Sequence, residues 1–429
     1  MDSLLFIMLS AALYLLGMML PAFCLVGMTT FLIPLMLLPR VSWRHGFIWG
    51  MVTFGIHTSW ILILMHQKAL GMQGYLFWVL LVLWLSSISA VWFYFFTKYP
   101  AVSTVLFFIF MTKYSLIIGG VVDGYPLCNP MVVLAQYPSL LYSLYWLHDV
   151  GYLVVLCGVQ VAAVTFYRTP TKSSLTFIAL SLFIFLSGLV LQKTDTDAPK
   201  IKIGVVCPWW HNSKDPMFAG YRMAHDLSVV AQKHQNLEAI ILPESSFCWN
   251  LYEYDRFFSI WSESAAEVPI ILGSHCLEGA ITHNCAFLLH NGILAAKYCK
   301  QHKMPLVERS LYVEQWIGSL LMLHQRESAG VLPSNSDEWV IGNCTYQIFI
   351  CSELFFESKK VKGVPILLLW NDTWLCVDWM RNVARLFIRY FEQKHRVRVY
   401  HVSTLGHHNL ECCDESSRNL YRYNKENNA

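Results

Sequence analysis

The chain has 429 residues, room for two domains, and 55% of them are apolar while only 14% are charged, a balance that sets aside an ordinary soluble protein and puts a membrane class first. The net charge of +3 averages over two unlike halves; it says nothing of a nucleic-acid partner, and no basic run or basic–aromatic patch suggests one. The 13 cysteines include no C-x-x-C, so neither a zinc site nor a disulfide scaffold is expected in a domain this large.

A helix needs about 20 apolar residues to cross a hydrocarbon core of about 30 Å. Such stretches fall near 3 to 21, 22 to 39, 46 to 65, 75 to 97, 101 to 120, 147 to 167 and 174 to 192. The first 200 residues hold 14 of the 59 charged side chains and no Glu. The chain is therefore expected to divide near residue 195 into a bundle of about seven transmembrane helices, 1–195, and a polar domain, 196–429. Met1-Asp2 opens the chain without a basic n-region, which favours a retained first helix over a cleaved signal peptide. Arg40, Arg44, Lys98, Arg168 and Lys172 fall in alternate loops. Basic residues collect in short cytoplasmic loops, so the N-terminus is expected inside and everything after residue 193 outside the cytoplasm. Lys113 is the one charge placed within a span, as a functional group or as a side chain snorkelling to an interface. Trp43, Trp60, Trp92, Tyr99 and Trp146 sit near helix ends, where aromatic belts form.

Beyond the polar linker the pattern shifts to short apolar runs alternating with amphipathic segments. Strands are predicted at 201–207, 237–243, 268–277, 283–291, 292–301, 339–351, 365–371 and 397–404, and helices at 216–235 and near 376–394. The result is an α/β domain. Cys207, Cys248, Cys276, Cys285 and Cys344 read as small buried hydrophobes. The group His401, His407, His408, Cys412 and Cys413 matches no structural zinc spacing. Trp209, Trp210 and Trp374 are candidates either for an acyl groove or for the core. There is no G-x-S-x-G elbow and no phosphate-cradling loop.

Three strand ends deliver ionisable groups: Leu242-Pro243-Glu244, then Lys300-Gln301-His302-Lys303-Met304-Pro305-Leu306-Val307-Glu308, then Ile350-Cys351-Ser352-Glu353. These P-E, K-x-H-x-x-P-x-x-E and C-x-E signatures, followed by Asn371-Asp372-Thr373-Trp374 and preceded by membrane helices, resemble the membrane-bound branch of the nitrilase (carbon–nitrogen hydrolase) superfamily, the apolipoprotein N-acyltransferases. The resemblance implies an α-β-β-α sandwich and a thioester acyl transfer that needs no cofactor and no metal. Cys351 would be the nucleophile, Glu244 the general base and Lys300 the oxyanion and thiolate stabiliser, with Glu308 orienting Lys300 and Glu353 supporting the same network. Register selects Lys300 over Lys297 and Lys303, because it alone stands five residues before Pro305 and eight before Glu308.

The same resemblance implies a phospholipid acyl donor, an apolipoprotein acceptor whose diacylglyceryl-cysteine offers a free amine, and a multi-pass place in the bacterial inner membrane with the catalytic domain on the periplasmic side. No residue is assigned to substrate binding. Three departures from the family pattern matter: no membrane helix follows the domain, Trp374 is not followed by a Gly- and Pro-containing loop, and Ser403-Thr404-Leu405-Gly406 replaces an Asn-rich stretch. They leave open two alternatives: an amidase or acyltransferase of another substrate, such as the membrane-bound nitrilase-like proteins associated with conjugal DNA transfer, and a non-catalytic scaffold.

Overall fold

The computed structural model describes residues 2–38, 40–67, 71–114, 126–191, 202–208, 213–234, 236–278, 281–302, 336–355, 359–375, 377–404 and 406–408. Contacts divide them into two units, the first comprising residues up to 194 together with 374–396, and the second the remainder.

The first unit begins with α1 (Asp2–Met19), α2 (Cys24–Thr30), α3 (Leu32–Leu37), α4 (Trp43–His57), α5 (Ser59–Gln67), α6 (Gly71–Phe96) and α7 (Pro100–Tyr114). It continues with α8 (Pro130–Leu134), α9 (Leu144–Arg168) and α10 (Lys172–Leu191). Helices coincide with all seven predicted apolar stretches, but several are broken. The stretch 22–39 divides into α2 and α3, and Gln160 of α9 spans the break: its Oε1 accepts from Leu32 N (3.0 Å) and its Nε2 donates to Met28 O (3.0 Å). The stretch 46–65 bends by 42° between α4 and α5. There the Thr58 hydroxyl donates back to Phe54 O at 2.6 Å, a side-chain bond that competes with the backbone ladder and bends helices. Two helices, Gly74–Phe96 and Leu144–Arg168, are long and apolar enough to cross a membrane, and the bent pair makes a third if it is one span. The remaining apolar helices of the described residues, Ser3–Met19, Cys24–Leu37, Pro100–Tyr114 and Lys172–Ile184, are shorter. Helices α4 and α6 approach so closely that a Cβ on Gly50 would lie 2.6 Å from Ser86 Cα, the close packing that small residues permit between apolar helices.

The second unit holds two sheets. The first runs β1 (Ile203–Val205), β2 (Ala239–Ile241), β4 (Ile270–Glu278), β5 (Ile281–His290) and β6 (Ile293–Cys299), with β3 (Phe247–Asn250) pairing β4 off this path. Strands β1, β2 and β4 are parallel, while β4, β5 and β6 form an antiparallel meander. Helices α11 (Pro216–Lys233) and α12 (Phe257–Ser264) belong to the same core, where Met223, Leu227, Phe247, Phe257 and Trp261 are buried with Ile240, Leu272 and Phe287. The second sheet has the order β11 (Gly406–His408), β10 (Val399–Ser403), β9 (Ile366–Trp370), β8 (Cys344–Ile350), β7 (Glu338–Ile341), with β8, β9 and β10 parallel. Both sheets follow the predicted strands closely. The predicted strand 339–351 is in fact the hairpin β7–β8, turned at Gly342 with φ 58°. Strand β3, helix α12 and strand β11 were not predicted.

Helix α13 (Asp378–His395) lies at its predicted place in the sequence, yet its contacts group it with the first unit. Its apolar side buries Met380, Val383, Phe387, Ile388 and Phe391. Tyr390 Oη and Lys394 Nζ both donate to Asp149 of α9, at 2.6 and 2.7 Å. Among the described residues, the α-helices grouped with the second unit are α11 and α12.

Candidate active site

Glu244 follows β2 directly, at the carboxyl end of a parallel strand. Its backbone is held by Gly273 of β4, whose N–H donates to Pro243 O at 3.2 Å. A Cβ at Gly273 would stand 2.5 Å from Glu244 Cα, so only glycine allows this approach. Lys300 follows β6, and its N–H donates to Asn284 O on β5 (2.9 Å). These two strand ends bring Lys300 Nζ to 3.6 Å from Glu244 Oε1, with both residues 3% exposed. Glu244 is further satisfied by Asn284 Nδ2, which donates to Oε1 (2.5 Å), and by Asn371 N–H, which donates to Oε2 (2.8 Å). Hydrogen bonds to a charged group contribute about 1.5–3 kcal/mol each, and a buried carboxylate needs them.

Cys351 stands at the end of β8 and opens the 3-10 turn Cys351–Phe355. It is 8% exposed and has φ 49°. A left-handed backbone at a non-glycine residue is costly, and such residues concentrate at functional sites. The turn is fixed by Glu353, which is fully buried. One of its oxygens accepts from Tyr298 Oη (2.7 Å) and Gln301 N–H (2.8 Å), the other from Ile350 N–H (2.9 Å) and Lys359 Nζ (3.0 Å). The segment bearing Lys300 and the segment bearing Cys351 are therefore tied to one carboxylate. Burial, followed by the charge of Glu353, pushes the Tyr298 phenol well above its ordinary range, so its hydroxyl remains a donor.

The Asn371-Asp372 segment after β9 is held by residues at the end of β10. Ser403 and Thr404 hydroxyls donate to Asp372 at 3.0 and 2.7 Å, and Thr404 also reaches Asn371 Oδ1 at 3.3 Å. These hydroxyls thus supply donors that fix the segment bonding Glu244. Nearby Cys248 donates its thiol to Ser245 O, and burial pushes its pKa up to about 11, so it stays protonated at neutral pH.

Of the residues singled out in the sequence, Glu244 and Lys300 meet as an ion pair, and Glu353 braces the strand ends that carry Lys300 and Cys351. Glu308, Lys303, Trp209, Trp210, Cys412 and Cys413 lie outside the described residues, as does the side chain of Trp374. Lys297 is directed elsewhere, its Nζ 5.8 Å over the Tyr252 ring. His401 pairs with His408 across β10 and β11, and among the described residues no group of three or more His, Cys, Asp or Glu side chains is placed to hold a metal ion. Cys285 corrects its prediction: rather than packing as a free thiol, it is joined to Cys299 by a disulfide across β5 and β6. Asn284, Tyr298 and Lys359 were not singled out in the sequence: the first two are isolated polar residues within strands, and Lys359 is one of three lysines in the Lys359-Lys360-Val361-Lys362 stretch, so none carries a spacing signal.

No protein-family model and no curated protein matches the chain. Among solved structures, it is similar to a glutamine-dependent NAD(+) synthetase from Cytophaga hutchinsonii at 16% identity and TM-score 0.30, covering 48% of this chain and 36% of that one. It is also similar to a CN-hydrolase superfamily protein from Xanthomonas campestris with an arsenic adduct in its active site, at 12% identity and TM-score 0.33, covering 48% and 76%. A third similarity is to the glutamine-dependent NAD+ synthetase of Acinetobacter baumannii, at 13% identity and TM-score 0.27, covering 40% and 31%. This chain spans about a third of the length of the two synthetases.

Proposed function

We propose that the chain is a membrane-bound acyltransferase of the apolipoprotein N-acyltransferase kind, with Glu244, Lys300 and Cys351 as its catalytic residues. The observation that carries the reading is the buried ion pair of Glu244 and Lys300, held by Asn284 and Asn371, together with Glu353, which ties the segment after Lys300 to the turn that Cys351 opens. A desolvated carboxylate and ammonium kept together where a cysteine adopts a strained backbone suit nucleophilic chemistry better than packing.

In the first half-reaction Glu244 takes the Cys351 thiol proton and the thiolate attacks the ester carbonyl of a phospholipid. The Lys300 ammonium stabilises the thiolate and then the tetrahedral oxyanion. Collapse breaks the ester bond, and Glu244 passes its proton to the departing glyceryl oxygen, leaving an acyl-thioester. In the second half-reaction the free amine of a diacylglyceryl-cysteine attacks the thioester, its proton goes to Glu244, and the sulfur leaves as thiolate. The resemblance assigns to Glu308, outside the described residues, the role of orienting Lys300. No cofactor or metal enters this scheme.

The basic-loop pattern favours a cytoplasmic N-terminus and a periplasmic catalytic domain in a bacterial inner membrane. The Cys285–Cys299 disulfide favours the same side, since cytosolic thiols are kept reduced.

Two experiments test the proposal. Incubating the full chain in phospholipid with a thiol-reactive acyl probe is expected to acylate Cys351 and to leave Cys351→Ala unlabelled; an unreactive Cys351 would leave a scaffold. Expression in a strain lacking lipoprotein N-acylation is expected to restore the third acyl chain on a lipoprotein N-terminus, read by mass spectrometry. Acylation of Cys351 without that rescue would assign the enzyme to another acceptor, as in a conjugal-transfer-associated relative.

A further inference from the structure

Lys359 lies eight residues beyond Cys351 and outside every motif of the sequence, yet it is 9% exposed and fully engaged. Its Nζ donates to Glu353 Oε2 (3.0 Å), Tyr298 Oη (2.6 Å) and Ile348 O (2.6 Å). It also stands 4.2 Å and 4.0 Å from the ring centres of Tyr298 and Phe349. We propose that Lys359 is a positioning residue: its buried ammonium pairs with the Glu353 carboxylate, and that carboxylate sets the spacing between the Lys300 strand end and the Cys351 turn. The proposal rests on the reading of Cys351 as nucleophile.

The N–H of Gln301, next to Lys300, and the N–H of Ile350, next to Cys351, donate to two different oxygens of Glu353. The N–H of His302 adds a longer contact at 3.4 Å. Every one of these partners is a donor, so the carboxylate form satisfies all of them, whereas a protonated acid turns one oxygen into a donor facing donors. A carboxylate with no exposed surface stays charged only beside a cation, and Lys359 supplies that cation. Burial lowers the Lys359 pKa, against the raising effects of Glu353 and Asp337. The ammonium is therefore held there by its partners and not by solvent.

Size and charge can be separated. Methionine keeps the length and apolar stem of lysine and drops the charge; arginine keeps the charge and changes the shape. With the full chain in detergent, the probe is iodoacetamide and the readout is the alkylation rate at Cys351 by peptide mass spectrometry. Lys359→Met is expected to slow alkylation about tenfold, the effect of about 1.4 kcal/mol in a barrier, and Lys359→Arg to stay within about threefold of wild type. A packing role predicts the opposite order, and that order, or a wild-type rate in Lys359→Met, overturns the proposal. Should Lys359→Met fail to accumulate, Lys359→Gln, which keeps a donor and loses the charge, takes its place with the same order expected. A wild-type Cys351 alkylated no faster than Cys344 would remove the nucleophile reading and this one with it. A fast wild-type Cys351 indifferent to position 359 would remove this one alone.

Discussion

Replacing Lys300 by Met would leave Glu244, 3% exposed, as a carboxylate without the ammonium now 3.6 Å away. Breaking one side of a buried pair costs about 3–5 kcal/mol, because the remaining charge keeps its desolvation penalty. Donors remain on Glu244, among them Asn284 Nδ2 at 2.5 Å and Asn371 N–H at 2.8 Å. Each retains the strength of a bond to a charged group, which puts the cost at the lower end, about 3 kcal/mol. For a unit of this size that corresponds to a fall of about 6–12 °C in the thermal midpoint, at about 2–4 °C per kcal/mol. Tryptophan fluorescence during heating of the detergent-solubilised chain measures it. The double variant Glu244→Gln/Lys300→Met, with neither charge, is expected to recover more than half of the loss, since removing a buried pair together is often nearly neutral. Both proteins should fail to form the Cys351 acyl-enzyme. A midpoint for Lys300→Met within 2 °C of wild type would show that Lys300 and Glu244 are not a desolvated pair, and the account of the site would fall with it.

Gly273→Ala should displace Glu244, since the new Cβ would meet Glu244 Cα at 2.5 Å and Pro243 O at 2.6 Å, both backbone atoms. Acyl-enzyme formation is expected to drop about 100-fold, as misplacements of about 1 Å do, and a wild-type rate would show that the strand ends can part freely. Reducing Cys285–Cys299, whose cysteines are 14 residues apart, should lower stability by up to about 3 kcal/mol; an unchanged thermal midpoint in dithiothreitol would count against the bond. Burial raises the Asp337 pKa, but hydrogen bonds from Lys362 and Gln347 and the charge of Lys359 outweigh it and leave it depressed. Its stabilisation is therefore present above the ordinary carboxylate pKa of about 3.9 and fades as pH falls through the depressed value. The gap between the midpoints of wild type and Asp337→Asn, present at pH 7, should narrow as pH falls below about 3.9; a gap that widens there would contradict the sign.

The sheets of the second unit were legible because each strand carries its own apolar run between turn residues, and period and length are local properties. The hairpin β7–β8 was marked too, by the Gly342-Asn343 pair between two runs, a two-residue turn signal that the reading of 339–351 as one strand passed over. Membrane-half boundaries were blurred for a different reason. An apolar stretch records burial in lipid or protein alike, and the breaks at Phe31 and Thr58 depend on side-chain bonds, from Gln160 and from the Thr58 hydroxyl, that no hydropathy window contains. Helix α13 shows the limit of dividing a chain at one composition boundary: its amphipathic pattern was plain, but the partner for its apolar side was set by tertiary contact.

The site divides along the same line. Glu244, Lys300 and Cys351 were legible because each ends a predicted strand within a motif; what joins them was hidden by one residue of register. Asn291 and Gly292 both have positive φ, as the tight turn of a hairpin requires, and His290 pairs with Ile293 across it. Counting back from that turn without interruption would set Cys285 opposite Tyr298 and Asn284 opposite Cys299. Instead the pairing shifts between Leu289↔Leu294 and Leu288↔Ala296, so a bulge at Ala295 moves every later residue by one. That shift puts Cys285 opposite Cys299, which makes the disulfide possible, and Asn284 opposite Lys300, where its carboxamide reaches Glu244. A slip of one residue exchanges the two faces of a strand, and the extra residue lies on β6, so without the bulge Lys300 would lose its place opposite Asn284. The bulge has no signature in the sequence, since Leu294, Ala295 and Ala296 are ordinary strand residues. The residues proposed as catalytic could thus be named from the sequence, while the pairing that sets Lys300 opposite Asn284 follows from a register that only the folded sheet fixes.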